Sequence, residues 1–218
     1  MIDAVLVAIV LSNLAMLGLG RLSGCIRTAA LQGLLLAGLT LLAGGTGPEL
    51  IALAVMGAIL KGVVFPWMMF RALREAEVNR EVEPYVGFTL SVIFGLIALA
   101  GSMWLGARLP LPALGDVRFA VSISLFTLLT GLFLIVTRKK AITQVLGYLV
   151  MENGIYALGL HLAPHEPRWV GVGVLLDVFV AVFVMGIMVF HINRQFDHID
   201  ADRMSTLRDW TRRWKRPA

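Results

Sequence analysis

Long apolar runs separated by short polar segments dominate the chain. Seven windows of about 20 residues contain mostly apolar side chains, and a helix of that length crosses the roughly 30 Å of hydrocarbon in a bilayer. We therefore predict an all-α integral membrane protein with about seven transmembrane helices. The predicted spans lie near residues 2–20, 26–44, 50–70, 86–107, 117–137, 141–161 and 169–191.

Basic residues fall mostly on one side of these spans. With the N-terminus outside, 15 of the 19 Lys and Arg residues lie in cytoplasmic segments, three lie in outside segments, and Lys61 lies within a span. Such an excess of bases marks the cytoplasmic side. It predicts an outside N-terminus, a cytoplasmic C-terminus and a cytoplasmic basic loop formed by Arg138, Lys139 and Lys140.

Composition agrees with a membrane protein and narrows the chemistry. The chain is 58% hydrophobic and 15% charged, with a mean hydropathy of +0.83, too apolar for a soluble domain. Its net charge of +5 is spread over separate segments and does not indicate nucleic-acid binding. One cysteine excludes an internal disulfide, and His161 and His191 fall at opposite membrane faces, which argues against a haem. We expect no cofactor or metal in this chain.

The polar segments and prolines divide the chain into four parts. Residues 1–84 form a three-span unit that ends in a mixed-charge cytoplasmic connector, and residues 85–116 hold the fourth span and an outside loop. Residues 117–192 form a second three-span unit with short loops. Residues 193–218 form a basic tail, in which Leu207, Trp210 and Trp214 recur at helical spacing and predict an interfacial helix.

Three ionisable side chains interrupt the apolar spans. Glu152 and Lys61 each lie eleven residues into a predicted span, about 16 Å at 1.5 Å per residue, and Asp177 lies nearer the outer face. Burying a charge at the centre of a bilayer costs about 3 kcal/mol or more, so each group should face protein or internal water. A proton path through the membrane and a static Lys–carboxylate pair both fit this pattern.

Two further patterns extend the candidate path. Gln144, Tyr148, Glu152 and Tyr156 recur every four residues and share one helix face, where they could line a water chain or bond neighbouring helices. His191 ends the last span at the cytoplasmic surface, as a proton entry point or as an interfacial residue.

The partner of Lys61 is left open by the sequence. Ala54 and Gly57 share its helix face, and the small side chains allow another helix to approach the amine. Glu152 lies at the same depth but three spans away along the chain. We consider this acid and an acid on a neighbouring subunit, and we favour the neighbouring subunit.

The second three-span unit carries a family resemblance. The stretches "RKKAITQVLGYLVMENGIYALGL", "FHINRQ" and "DHIDADRMSTLRD" resemble the K-type subunit of complex I and the C subunit of multisubunit cation/proton antiporters. With the N-terminal spans and "LKGVVFP", the whole chain is similar to the hydrogenase-4 component E family. K-type subunits place a Glu at the position of Leu149, and Glu152 lies one helical turn further on.

The resemblance implies a multi-pass subunit of the bacterial inner (cytoplasmic) membrane within a complex I-like, hydrogenase or formate hydrogenlyase-type assembly. It implies that Glu152 and Asp177 belong to a chain of buried acids that conducts protons. Expected partners are antiporter-like membrane subunits, a complex I-type membrane anchor subunit and a cytoplasmic hydrogenase arm. A nickel–iron centre and iron–sulfur clusters are expected in those partners.

Two other function classes remain open at this point. A purely structural scaffold would use the same charges as static pairs between helices. An independent secondary transporter is less well supported, because the spans show no inverted repeat. In none of these classes does the chain carry out covalent chemistry itself.

Overall fold

The protein folds as a bundle of long helices in a computed structural model. The structure describes residues 1–44, 48–75, 82, 84–109, 115–162 and 186. The helices are α1 (Ile2–Gly18), α2 (Leu22–Gly44), α3 (Pro48–Ile59), α4 (Phe65–Glu75), α5 (Phe88–Arg108), α6 (Gly115–Thr137) and α7 (Ala141–Leu162). A π-helical stretch, Leu60–Val64, joins α3 to α4 and is called the π segment below.

The all-helical membrane class predicted from the sequence is confirmed. Within the described residues, five helical stretches are long and apolar enough to cross a membrane, and the apolar α1 is shorter, with 17 residues. Five of the first six predicted spans each correspond to one helix, and the third corresponds to α3, the π segment and α4 together, with bounds that differ by a few residues. The seventh predicted span, apart from residue 186, and the basic tail lie outside the described residues. The number of seven spans and the orientation of the termini stay predictions.

A proline explains why the third span is not a regular α-helix. Pro66 has no N–H group, and its ring would clash with the carbonyl four residues earlier in a continuous α-helix. The helix widens immediately before it, and the N–H of Phe65 donates to the carbonyl of Leu60, five residues back. Such π turns occur often at functional sites. Here the widened turn contains Lys61.

Three connecting segments meet at one end of the bundle, called the Arg138 end below. The N–H of Val82 donates to the carbonyl of Gly20, and the N–H of Tyr85 donates to the carbonyl of Thr137, at 2.8 Å each. Pro84 and Arg138 form an isolated antiparallel bridge. The hydrogen-bonded connections fix the ends of α1, α5 and α6 relative to one another.

Glycines bring α6 and α7 into close backbone contact. A Cβ added at Gly131 would meet the backbone of Met151, and one added at Gly154 would meet the backbone of Leu128. Gly147 lies similarly close to the backbone of Ile135. Small residues of this kind let membrane helices approach closely. The contact fixes the rotation of α7 and therefore the direction of its polar side chains.

The apolar interior consists of two clusters with a polar layer between them. One cluster lies towards the Arg138 end and includes Met16, Ile26, Phe65, Leu134 and Val150. The other lies towards the opposite end and includes Leu6, Leu36, Leu39, Ile123 and Ala157. The side chains between them, called the polar layer below, are Asn13, Gln32, Lys61, Thr127, Glu152 and Asn153.

Candidate functional site: a polar layer across the bundle

The centre of the polar layer is an ion pair between the third span and α7. The Nζ atom of Lys61 lies 2.8 Å from Oε1 of Glu152, and the two side chains are 10% and 1% exposed. From the sequence alone we favour an acid on a neighbouring subunit as the partner of Lys61. That expectation was wrong, because the fold brings α7 against the π segment and supplies the acid from within the chain.

Two further groups of α7 hold the lysine. Lys61 Nζ donates to Oδ1 of Asn153 at 3.0 Å, and it lies 5.4 Å from the centre of the Tyr156 ring. The ring face attracts a cation, and the amide oxygen stabilises the positive charge by accepting a hydrogen bond. Lys61 is therefore held by a carboxylate, an amide and an aromatic ring.

The backbone of α2 leaves room for the lysine. A Cβ built on Gly33 would overlap the Cβ of Lys61, so only glycine fits between α2 and the π segment at this point. On the other side of the same contact, a Cβ on Gly62 would lie 2.6 Å from the side chain of Leu34. Close approach of the two backbones places the lysine between α2 and α7.

Amide side chains continue the polar layer away from the ion pair. Asn153 Nδ2 donates to Gln32 Oε1 at 3.2 Å, and Gln32 Nε2 donates to Asn13 Oδ1 at 2.7 Å. Asn13 Nδ2 then donates to Thr127 Oγ1 at 2.8 Å. The series Asn153, Gln32, Asn13 and Thr127, called the amide chain below, connects α7, α2, α1 and α6. All four side chains are at most 2% exposed.

Gln32, Asn13 and Thr127 are not among the site residues predicted from the sequence. A signal was present, because an amide within an apolar span commonly bonds to a neighbouring helix. Asn13 lies within the first apolar run and Gln32 within the second. Thr127 gives no comparable signal, since threonines in helices usually bond to their own backbone, as Thr127 also does at the carbonyl of Ile123.

The polar face of α7 predicted from Gln144, Tyr148, Glu152 and Tyr156, called the stripe below, is only partly internal. Tyr156 is half-buried, and its hydroxyl lies 2.9 Å from Oγ1 of Thr40. Tyr148 is also half-buried and packs against the cluster at the Arg138 end. Gln144 is exposed, and its Nε2 donates to the carbonyl of Arg138 at 3.1 Å. The stripe therefore runs from an exposed amide at the Arg138 end to the buried carboxylate.

A small cavity touches the ion pair from the Arg138 end. Lys61 and Asn153 line it together with apolar side chains of α2, α4 and α7, and it encloses about 10 Å³. That is roughly the room one water molecule needs. Its apolar lining residues are Ile26, Ala29, Ala30, Phe65, Pro66, Met69 and Leu149.

Arg138 lies inside the bundle although the sequence placed it in a basic loop. It is 1% exposed, its Nη2 donates to the carbonyl of Leu17 at 3.2 Å, and its guanidinium lies 5.4 Å from the centre of the Phe88 ring. Burial lowers the pKa of Arg138 below its usual range, and the nearby Cys25 thiol opposes that effect. Lys139 is exposed and Lys140 is half-buried.

The remaining predicted site residues, Asp177 and His191, lie outside the described residues. Within the part of the chain that the structure describes, no three His, Cys, Asp or Glu side chains come together as metal ligands. His161, at the end of α7, has its Nδ1 2.7 Å from the carbonyl of Ala157.

Comparisons with known proteins give two groups of relatives. The chain is 31% identical over 216 residues to the uncharacterised protein Rv0085 of Mycobacterium tuberculosis, covering 96% of each chain. It is 25% identical over 160 residues to hydrogenase-4 component E of Escherichia coli K12 and of Shigella flexneri, covering 73% of this chain and 74% of theirs. No protein-family model and no solved structure matches the chain.

Proposed function

Because the chain belongs to the family of Mycobacterium tuberculosis Rv0085 and is distantly related to hydrogenase-4 component E, we propose that it is a membrane subunit of a hydrogenase-type complex. Within that complex it contributes buried ionisable residues to a proton-translocation path. The observation that supports this proton path is the ion pair of Lys61 and Glu152 in the middle of the bundle.

The pair has the physical properties that a proton relay needs. Burial disfavours both charged forms, while each charge stabilises the other across 2.8 Å. Because these effects oppose each other, the balance between the charged pair and the neutral pair depends on the charges around it. A charge that arrives or leaves nearby can then move a proton on or off the pair.

The proposed path includes the groups around the pair. Tyr156 and Tyr148 carry exchangeable hydroxyl protons on the same face of α7, and the water-sized cavity reaches Lys61 from the Arg138 end. Gln144 would mark the exposed end of this face. Asp177 and His191, which both lie outside the described residues, are proposed to continue the path in the last span.

The proposed partners follow from the hydrogenase relationship. They are antiporter-like membrane subunits, a complex I-type membrane anchor subunit and a cytoplasmic hydrogenase arm of the formate hydrogenlyase type. The nickel–iron centre and iron–sulfur clusters would reside in those partners, and this chain would carry no covalent chemistry. The assembly would lie in the bacterial inner membrane.

The test compares Glu152→Gln with Asp3→Asn in the intact complex. Both replace an acid by its amide, but Asp3 is exposed in the first turn of α1. Redox turnover and proton translocation are measured in inverted membrane vesicles. We expect Glu152→Gln to assemble and to lose most of the protons moved per electron, and Asp3→Asn to behave as the parent. Unchanged translocation in Glu152→Gln overturns the proton path.

A structural scaffold is the second candidate function, and the amide chain favours it. Amide side chains donate and accept hydrogen bonds but do not readily release a proton, so this part of the polar layer joins helices without conducting. The scaffold predicts that Glu152→Gln leaves translocation unchanged while substitutions in the amide chain weaken assembly of the complex.

A further inference from the structure

The amide chain has only one hydrogen-bonding direction that is compatible with a protonated lysine. An ammonium group donates and cannot accept, so Asn153 must present its oxygen to Lys61 and its nitrogen to Gln32. Gln32 must then present its nitrogen to Asn13, and Asn13 its nitrogen to Thr127. The direction at one end of the chain fixes the direction at every other position.

Thr127 ends the series because its own proton is already engaged. Its hydroxyl donates to the carbonyl of Ile123 at 2.8 Å, so its oxygen accepts the bond from Asn13. Five donors therefore point the same way, from the ammonium of Lys61 to a backbone carbonyl of α6. Hydrogen bonds arranged in this order polarise one another, and the whole series stabilises positive charge at its donor end.

We propose that Asn153, Gln32, Asn13 and Thr127 are positioning residues that hold Lys61 protonated against Glu152. Through Asn13 and Thr127, the stability of the lysine's charge then depends on hydrogen bonds made by α1 and α6. The inference rests on the proposed function, since it names the residues that set the state of the same ion pair. None of the four exchanges protons with the path; they act through the lysine. A change at Thr127, four hydrogen bonds from Lys61, should therefore alter how well the charge of the lysine is stabilised.

Thr130 provides a matched control for Thr127. Both threonines lie on α6, both are 1% exposed, and both donate to the carbonyl four residues earlier, at 2.8 and 2.9 Å. The difference is that Thr127 also accepts the bond from Asn13. Substitution by valine keeps the shape of either side chain, removes the same bond to the helix backbone, and removes the end of the amide chain only at position 127.

The first measurement is thermal unfolding of the full chain in lipid nanodiscs. We expect Thr127→Val to lower Tm by about 2–4 °C more than Thr130→Val, because the buried amide of Asn13 loses its acceptor. In a Lys61→Met background this excess should shrink, since the chain then has no ammonium to stabilise. An equal effect of Thr127→Val with and without Lys61, or equal effects of the two valine variants, overturns the positioning role.

The second measurement is proton translocation per electron by the intact complex in vesicles. Thr127→Val should lower it while Thr130→Val leaves it unchanged, and Thr127→Val should add nothing to Lys61→Met. One result would separate the two hypotheses. If the effects of Thr127→Val and Lys61→Met on Tm are coupled, but neither Lys61→Met nor Glu152→Gln changes translocation, the positioning role is supported and the proposed proton path is contradicted. The two hypotheses therefore fail by different results.

Discussion

Gly33 of α2 lies directly against the Cβ of Lys61, so the position of the buried lysine depends on a residue without a side chain. The contact joins two residues that lie 28 positions apart in the sequence and meet only in the fold. It leads to the first prediction.

Gly33→Ala should destabilise the protein by about 1–3 kcal/mol, because the new methyl group would force α2 and the π segment apart. Gly38 is the control, since it lies on the same helix and a Cβ there would meet nothing within 4 Å. Gly38→Ala should be neutral or stabilising by up to about 1 kcal/mol. Unfolding in nanodiscs compares the two variants, and equal effects would show that the close approach is not needed.

Removal of one member of the ion pair should cost more than removal of both. Lys61→Met leaves the carboxylate of Glu152 buried without the ammonium, a change that typically costs about 3–5 kcal/mol. The double variant Lys61→Met/Glu152→Gln should recover most of that loss, because a neutral amide is easier to bury. The measurement is again unfolding of the full chain. A double variant no more stable than Lys61→Met would contradict the assignment of the pair.

Arg138 should stabilise the end of the bundle much more than its neighbour Lys139. Arg138→Met removes a buried donor to the carbonyl of Leu17 and the cation that faces the Phe88 ring, and we expect a loss of about 1–3 kcal/mol. Lys139 is exposed, and its ammonium faces Tyr85 at 5.1 Å, so Lys139→Met should cost less than about 1 kcal/mol. Similar losses in both variants would argue against the buried position of Arg138.

The close contact of α6 with α7 should depend on Gly154. Gly154→Ala places a methyl group against the backbone of Leu128, which cannot move as a side chain could, and we expect a loss of about 1–3 kcal/mol. Gly101 on α5 is the control, because a Cβ there would meet nothing within 4 Å. If Gly101→Ala and Gly154→Ala unfold at the same temperature, the helices do not pack as described.

The predicted orientation can be tested by thiol labelling. In a Cys25→Ser background, Lys139→Cys and Arg108→Cys place single thiols at exposed positions at opposite ends of the bundle. With the Arg138 end in the cytoplasm, a membrane-impermeant reagent should label Lys139→Cys only in inverted vesicles and Arg108→Cys only in right-side-out vesicles. The reverse pattern would place the N-terminus inside.

Local signals in the sequence predict the helices and the unusual charges within them. Apolar runs of about 20 residues and the breaks between them are local signals, so six predicted spans correspond to helices of the structure. Lys61 and Glu152 were identifiable for the same reason, because a charge inside such a run is conspicuous. Pro66 indicated a disturbance of the third span but not its form, the π segment.

Which of these residues meet depends on the packing of the helices. A membrane helix is apolar on nearly every side, because lipid and protein neighbours are both apolar, so its sequence does not indicate which face turns inward. The pairing of Lys61 with Glu152, the exposure of Gln144 and the burial of Arg138 depend on how the helices rotate and which ones are neighbours. Close contacts at Gly33, Gly131 and Gly154 fix those rotations, and they place Asn13, Gln32 and Thr127 in one series with the lysine.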